Sequence, residues 1–333
     1  MLAPQHVFGP VAILGNTLPA LAPNAIVVVA SSVRHIPEVT RALAAWETHV
    51  FTGARVHVPI EVVEAAEATL ATTQANVIVA VGGGSSIGLG KALKLRAAEA
   101  GHALRFVAIP TTYAGSENTS IYGITRGRDK QTGRDERVRP DVIISDVELT
   151  LELPIAMTAQ SLCNAIAHVA SALSTTTYAG IELHAHHGAD LEAVATAVSA
   201  IEALAHDPRD RGARIDALIA SSTCARCLDA GKAGVQHAFA HLLGGAFGVD
   251  HAPLHSILLP RFLAANDRVR DALERDGTGH TRWTVPIDTY LVDLLHRVGA
   301  PTTLGALGIT REALDEVLAT RLELPGDIAR AAL

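Results

Sequence analysis

Charge and aromatic side chains are both scarce in this chain. Of its 333 residues, 18% are Asp, Glu, Lys or Arg and 4% are Phe, Trp or Tyr, against ~25% charged in an average soluble protein. Aliphatic residues fill the deficit: hydrophobic residues make up 49% and mean hydropathy is +0.27. So apolar a composition excludes a disordered chain. Yet no uncharged apolar run reaches the ~18 residues that would cross a bilayer. The opening MLAPQHVFGP also lacks the basic stretch and apolar core of a secretory signal. The expectation is a cytoplasmic protein with no membrane partner. Basic residues are in deficit as well: 27 Lys and Arg face 34 Asp and Glu, for a net charge of −7, which argues against nucleic acid as a partner.

Cysteine is nearly absent. Three thiols cannot build a disulfide framework in a chain this long. Cys224 and Cys227 form a C-x-x-C in SSTCARCLDA, but no second pair follows at zinc-site spacing. A thioredoxin-like pair would open a helix just after a strand. This one lies within an Ala-rich helical stretch, where i and i+3 share a face, so buried helix cysteines are expected.

What is present is an alternation of strand-like and helix-like segments in the first half. Asn24–Ala30 is β-branched and precedes a helical pattern through Ala45. Arg55–Val58 is a further strand candidate, followed by a helix over Val62–Gln74. Asn76–Val81 runs into Gly82-Gly83-Gly84 and a helix to Ala100. Arg105–Ile109 ends at Pro110, and Val142–Ser145 is the last clear strand. Continuous apolar strands separated by helices predict a parallel sheet covered on both faces. Beyond about Pro154, Ala and Leu at helical spacing take over, punctuated at His206-Asp207-Pro208, Gly231, Pro260 and Gly299–Pro301. The predicted architecture is an α/β nucleotide-binding domain over residues 1–155 and an all-α domain over 156–333, with no internal repeat.

Three glycines between a buried strand and a helix permit a tight turn and let backbone N–H groups approach an anion. The positive end of the following helix, capped by Ser85 or Ser86, adds to this. At the carboxyl end of a central strand, Gly82, Gly83 and Gly84 suit the diphosphate of a dinucleotide. The turn is neither a P-loop nor the usual G-x-G-x-x-G. After the next strand, Thr111, Thr112, Ser116 and Asn118 place hydroxyls and an amide at the same sheet edge, where they could bind phosphate or ribose; an ordinary polar loop explains them as well. Ser31, Ser32 and Arg34 follow the first strand with no acid to repel a 2′-phosphate, so NADH and NADPH both stay open.

Sixteen histidines are the conspicuous excess. Asn164 and His168, His237 and His241, and His251 and His255 are each i, i+4 pairs that share a helix face, the last two separated by Gly244-Gly245 and Gly248. One histidine in an apolar helix is more often a core or surface residue, but three such pairs together point to a site. His184, His186 and His187 read as an exposed helix end or loop without a role.

FTGARVHVP, VGGGSSIGLGKA, IPTTYAGSENTSIYGIT, NAIAH and HAFAHLLGGAFGVDHAPLHSILLP together resemble the iron-containing alcohol dehydrogenase family, from about residue 25 to 266, and within it the maleylacetate reductase branch. The resemblance implies a nucleotide-binding α/β domain, a helical domain and an active site in the cleft between them. It also implies NADH or NADPH as hydride donor, a small dicarboxylate substrate and a homodimer. The metal-ligand positions of the family match Asn164, His168, His237 and His251. Asn164 replaces an aspartate, and a neutral amide is a poor ligand for iron or zinc. A pocket without bound metal is therefore expected, as the branch also implies. Further departures are Gly88 for the usual acid of the glycine-turn helix, Asp146-Val147 for Asp-Pro, Cys163 before Asn164, and VASAL after His168 where the family has a Glu-containing helix.

The branch reduces the C=C bond of maleylacetate that is conjugated to its ketone. Hydride addition places negative charge on the ketone oxygen. Without a metal, protonated histidines or other hydrogen-bond donors must carry that charge and an acid must protonate carbon. His237, His241 and His251 are the candidates, with His168 and Asn164 lining the pocket. The competing readings are another NAD(P)H-dependent carbonyl reductase on this scaffold, a metal-dependent lyase or cyclase of the dehydroquinate synthase type, and a non-catalytic nucleotide-binding protein.

Overall fold

A computed structural model describes residues 4–31, 34–127, 129–175, 187–231, 234–275, 281–320 and 326–333. The chain divides into two compact units, Met1–Leu151 and Glu152–Leu333. In the first, the strands are β1 (Gln5–Phe8), β2 (Ile26–Ala30), β3 (Glu47–Phe51), β4 (Val77–Gly82), β5 (Arg105–Pro110), β6 (Ile121–Arg126), β7 (Asp129–Arg134) and β8 (Val142–Ser145). Six of them form a parallel sheet in the order β1-β8-β5-β4-β2-β3, while β6 and β7 pair antiparallel as a separate ribbon. The helices are α1 (Leu14–Leu21), α2 (Ile36–Ala42), α3 (Ile60–Thr73) and α4 (Gly84–Glu99).

The apolar strands are explained by burial on both faces. Along β4, Val77, Val79 and Val81 join Leu14 and Leu18 from α1, Val39 from α2 and Leu43 just beyond it. The alternate Ile78 and Ala80 join Val63, Ala66, Leu89 and Leu93 from α3 and α4. Because β3 and β4 lie on opposite sides of β2, the chain reverses its direction across the sheet there. The carboxyl ends of β2 and β4 thus flank the switch point where open α/β sheets bind ligands.

Several elements differ from expectation. Arg55–Val58 is not a strand; β3 is Glu47–Phe51, a polar alternating segment that suffices at a sheet edge. His57 and Val58 instead take left-handed backbone, with φ of 63° and 49°. They are held there by tertiary contacts: Thr125 donates from N to Val58 O (3.0 Å) and from Oγ1 to His57 O (2.7 Å). Val58 packs so closely on Gly88 that a Cβ there would lie 2.7 Å from Val58 Cγ2, which accounts for glycine in place of an acid. Strands β1, β6 and β7 were not foreseen, and the helix expected to reach Ala45 stops at Ala42. At Asp146, the side chain accepts from Val11 N (2.7 Å) and Glu148 N (3.0 Å), so the turn that follows is capped without a proline.

The second unit is helical, with α5 (Ile155–Thr175), α6 (His187–His206), α7 (Arg211–Ala230), α8 (Val235–Phe247), α9 (His251–Ala264), α10 (Asp267–Glu274), α11 (Ile287–Arg297), α12 (Arg311–Leu318) and α13 (Gly326–Arg330). Helix α5 packs against α6, α7, α8 and α9 and is buried all round through Leu162, Cys163, Ile166, Val169 and Ala170. The fully buried Arg214 pins its start, donating to Leu153 O and Thr158 Oγ1 (both 2.9 Å) and to Pro208 O (2.7 Å). Pro260 lies inside α9 rather than at a joint. Helix α8 continues through Gly244-Gly245 and ends only at Gly248, whose φ is +66°.

One contact tests the first unit's packing. A Cβ at Gly90 would lie 2.5 Å from Phe106 Cε2 and 3.2 Å from Ala80 Cβ, and both residues are fully buried. Gly90→Ala is expected to destabilise the protein by about 1–3 kcal/mol, read as a lowered midpoint in thermal melts.

Candidate active site

Two clusters of polar groups stand out, one in each unit. The first lies at the carboxyl ends of β4 and β5. Gly82 pairs with Pro110, Thr111 N donates to Gly82 O (3.0 Å), and a Cβ on Gly83 would meet Thr112 Cγ2 at 3.0 Å. The glycine turn and Thr112 therefore touch. Gly82 has a φ of +142°, and a Cβ there would sit 2.6 Å from Ser86 Oγ, so glycine is required on two counts. A Cβ on Gly84 would point into open space. Helix α4 starts at Gly84 with Gly83 as N-cap and no side-chain cap. This corrects the expected cap: Ser85 and Ser86 lie within the first turn, and Ser86 is buried. The uncapped amide groups of α4 keep their capacity for an anion, and the donor set fits a dinucleotide diphosphate.

Not every hydroxyl expected here is available. Ser31 is buried and donates from Oγ to Arg34 O (3.3 Å), and Ser32 lies outside the described residues. Thr111 and Asn118 are buried; Asn118 turns its amide to Glu117 Oε1 (3.0 Å). Ser116 and Thr112 are half-buried. The sequence reading passed over Lys91, whose buried ammonium donates to Ser116 O, to Thr119 Oγ1 (3.0 Å) and to Ile121 O (2.8 Å). Beside it Glu117 is fully enclosed. Burial raises its carboxyl to about 7, against the opposing pull of its own backbone hydrogen bond and of Lys91.

The second cluster is made of imidazoles from three helices. The rings of His168 (α5) and His237 (α8) stack with centroids 5.1 Å apart. His237 lies 4.6 Å from His255, His241 lies 4.7 Å from His251, and His251 lies 6.4 Å from His255. Gly244 makes room for this, since a Cβ there would be 3.2 Å from His251 Cε1. Ser171 Oγ is 2.8 Å from His237 Nδ1, and Gln236 Nε2 is 3.0 Å from His255 Nδ1. His237 Nε2 and Asn164 Oδ1 are buried without a hydrogen-bond partner. His255 was noted only as half of a pair, yet it sits between His237 and His251. Ser171 occupies the stretch where VASAL replaces the Glu-containing helix.

Burial first, and then the neighbouring imidazoles, pull His237 and His255 well below their ordinary value. Both are neutral near pH 7, so of the two kinds of donor expected, His237 is an uncharged ring rather than an imidazolium. A neutral ring still donates through one N–H. Among the described residues no group of three or more His, Cys, Asp or Glu is arranged to hold a metal ion, and Asn164 brings no charge. His184 and His186 lie outside the described residues, as does the side chain of His187.

Profiles of the iron-containing alcohol dehydrogenase family match residues 3–147 and, for its carboxyl-terminal domain, 158–324. The chain belongs to this family. It is 44% identical over 272 residues to maleylacetate reductase of Burkholderia cepacia, covering 80% of this chain and 73% of that one. The crystal structure of maleylacetate reductase from Agrobacterium tumefaciens superposes with a TM-score of 0.86 at 29% identity, covering 100% of this chain and 97% of that chain. Sulfoacetaldehyde reductase from Bifidobacterium kashiwanohense, solved in complex with NAD+, shares the fold (TM-score 0.81, 19% identity, 96% and 92% covered).

The C-x-x-C is no reactive pair. Cys224 is buried and Cys227 half-buried within α7. Burial pushes Cys163 up to about 12, Cys224 far above its usual range, and Cys227, beside Asp190, up to about 12. With a chromogenic thiol reagent at pH 8, the native protein is expected to react at least about a hundredfold more slowly than the unfolded chain. Rapid labelling of two thiols in the native state would contradict this.

Proposed function

We propose that the chain reduces the conjugated C=C bond of maleylacetate to give 3-oxoadipate, with NADH or NADPH as donor, in the degradation of aromatic compounds. The observation that carries this reading is the 44% identity to a maleylacetate reductase, joined to the convergence of His168, His237, His251 and His255 on one cluster. Residues 1–155 are assigned the nucleotide and 156–333 the chemistry. Gly82, Gly83, Gly84, Thr112 and Ser116, with the first amides of α4, hold the cofactor, which when bound supplies the hydride.

The residues of the helical unit do the rest. Hydride adds to the alkene carbon remote from the ketone, and the electron pair of the C=C shifts toward the ketone oxygen. Imidazole N–H groups of His237 or His251 donate to that oxygen. They need no reorganisation, because Ser171 fixes His237 at Nδ1 and the rings brace one another. Proton delivery to the carbon next to the ketone then completes the reduction. His241 is exposed and can exchange protons with water, so it and its neighbour His251 are the candidate acid. His168 and Asn164 line the pocket, with Asn164 Oδ1 and His237 Nε2 available to substrate. The reading without metal rests on the neutral amide of Asn164, a poor ligand for iron or zinc. The family resemblance adds a homodimer in the cytoplasm; no described helix is long and apolar enough to cross a membrane.

Following NADH and NADPH oxidation with maleylacetate, and with simple aldehydes, tests the reading. Turnover of maleylacetate that persists in chelator is expected. Turnover of aldehydes alone would favour another reductase of the family, and activity lost to chelator and regained with iron or zinc would assign a metal. His237→Ala is expected to lower kcat by about a hundredfold or more. Gly82→Ala forces an L side chain into φ +142°, at a strain of ~1–3 kcal/mol, and is expected to raise KM for the cofactor about tenfold.

A further inference from the structure

Lys91 is one of the largest fully buried side chains of the protein, 1% exposed. Desolvating an ammonium costs several kcal/mol unless its hydrogens are bonded. Here three oxygens receive it: the carbonyls of Ser116 and Ile121 and the hydroxyl of Thr119. Ser116 and Thr119 belong to the segment that joins β5 to β6, and Ile121 is the first residue of β6. Thr119 Oγ1 also donates to Ser116 O (3.1 Å), so the acceptors brace one another. From its other end, Arg139 Nη1 donates to Asn118 O (3.1 Å). An ammonium has three donors at roughly tetrahedral angles, so the positions of these oxygens, and with them the path of the 3₁₀ turn Ser116–Asn118, are set by where Lys91 stands. It stands on α4, two turns beyond the helix start at Gly84. One helix therefore carries the glycine turn at its first residue and the anchor of the second loop seven residues later.

We propose that Lys91 is a positioning residue that locks the Thr111–Asn118 loop in register with the glycine turn, and so sets dinucleotide affinity without touching the dinucleotide. The proposal rests on the reading of this edge as the nucleotide site. Lys91 serves both sides of the site from beneath: the turn through the helix backbone, and the loop through three hydrogen bonds. Removing the ammonium leaves two carbonyls and a hydroxyl facing an apolar stem, and the loop relaxes away from Thr112 and Gly83. The helical unit and its imidazoles are unaffected.

Direct titration of NADH and NADPH, by fluorescence or calorimetry, into the wild type, Lys91→Met and Thr119→Val tests this, together with steady-state kinetics on maleylacetate. The Kd of the better-bound cofactor is expected to rise about tenfold or more in Lys91→Met and about threefold in Thr119→Val. At saturating cofactor, kcat and the KM for maleylacetate are expected to stay within about twofold of wild type, a split that general loosening of the fold would not produce. The double variant is expected to fall short of the product of the two single effects, because both break one network. If Lys91→Met does not fold, Thr119→Val decides: an unchanged Kd overturns the proposal. A folded Lys91→Met with wild-type affinity, or one whose kcat falls in step with affinity, overturns it too. Wild-type protein that binds neither cofactor instead overturns the functional reading on which the proposal stands.

Discussion

A parallel strand buried on both faces has no side on which to carry a working polar group, and that constraint organises the amino-terminal unit. Val77, Val79 and Val81 are committed to one core and Ile78 and Ala80 to the other. Polar chemistry is thereby displaced to the strand ends, where the chain leaves the hydrogen-bonded ladder. Gly82 and Pro110 mark that transition side by side, and the groups able to meet an anion begin at the next residue. The close approach of α4 to the sheet, at Gly90 against Ala80 and Phe106, brings its uncapped amino end to this edge. The same packing drives Lys91 under the neighbouring loop. Core packing and site construction are thus one arrangement in this unit.

The helical unit solves a different problem, which is to keep several imidazoles close together. Four or five protonated rings at centroid spacings of 4.6–6.4 Å would repel one another strongly. Burial resolves this at His237 and His255 by favouring the neutral form. Neutral partners complete the arrangement, with Ser171 on His237 and Gln236 on His255. A carboxylate at position 164 or 171 would favour the imidazolium and attract cations. Asn and Ser at these positions make a polar cluster that offers directional donors at little electrostatic cost. This suits the binding of an anionic, oxygen-rich molecule by a chain of net charge −7, because attraction comes from local N–H groups and helix ends rather than from overall charge.

Much of this was legible before the structure because local patterns were unambiguous. The i, i+4 pairs at 164/168, 237/241 and 251/255 identify helix faces, and runs such as VIVAV can only be buried strands. The failures have causes that lie outside the local segment. Arg55–Val58 looks like a strand because it is β-branched and alternating, yet Thr125 and Gly88 hold it in left-handed turns. The true strand, Glu47–Phe51, is polar because an edge tolerates it. Ser85 and Ser86 are favoured caps by residue type, but the cap of α4 lies two residues before Ser85, at Gly83. Pro260 sits within α9, where the neighbouring helices hold the turn together despite the lost N–H.

By itself the sequence determined most of the buried strands and helices and which helix faces carry imidazole, because residue spacing and composition act over a few residues, and its longer motifs placed the chain by resemblance in an oxidoreductase family. Only tertiary structure decided which of those polar groups are usable. Ser31, Ser86, Asn118 and Lys91 are all polar residues near one sheet edge, and nothing local distinguishes them from Thr112. Their side chains point into the protein because packing partners distant in the chain enclose them. The charge state of His237 was decided in the same way, by burial first and then by rings such as that of His168, which lies far from it in sequence and comes within stacking distance only in the fold.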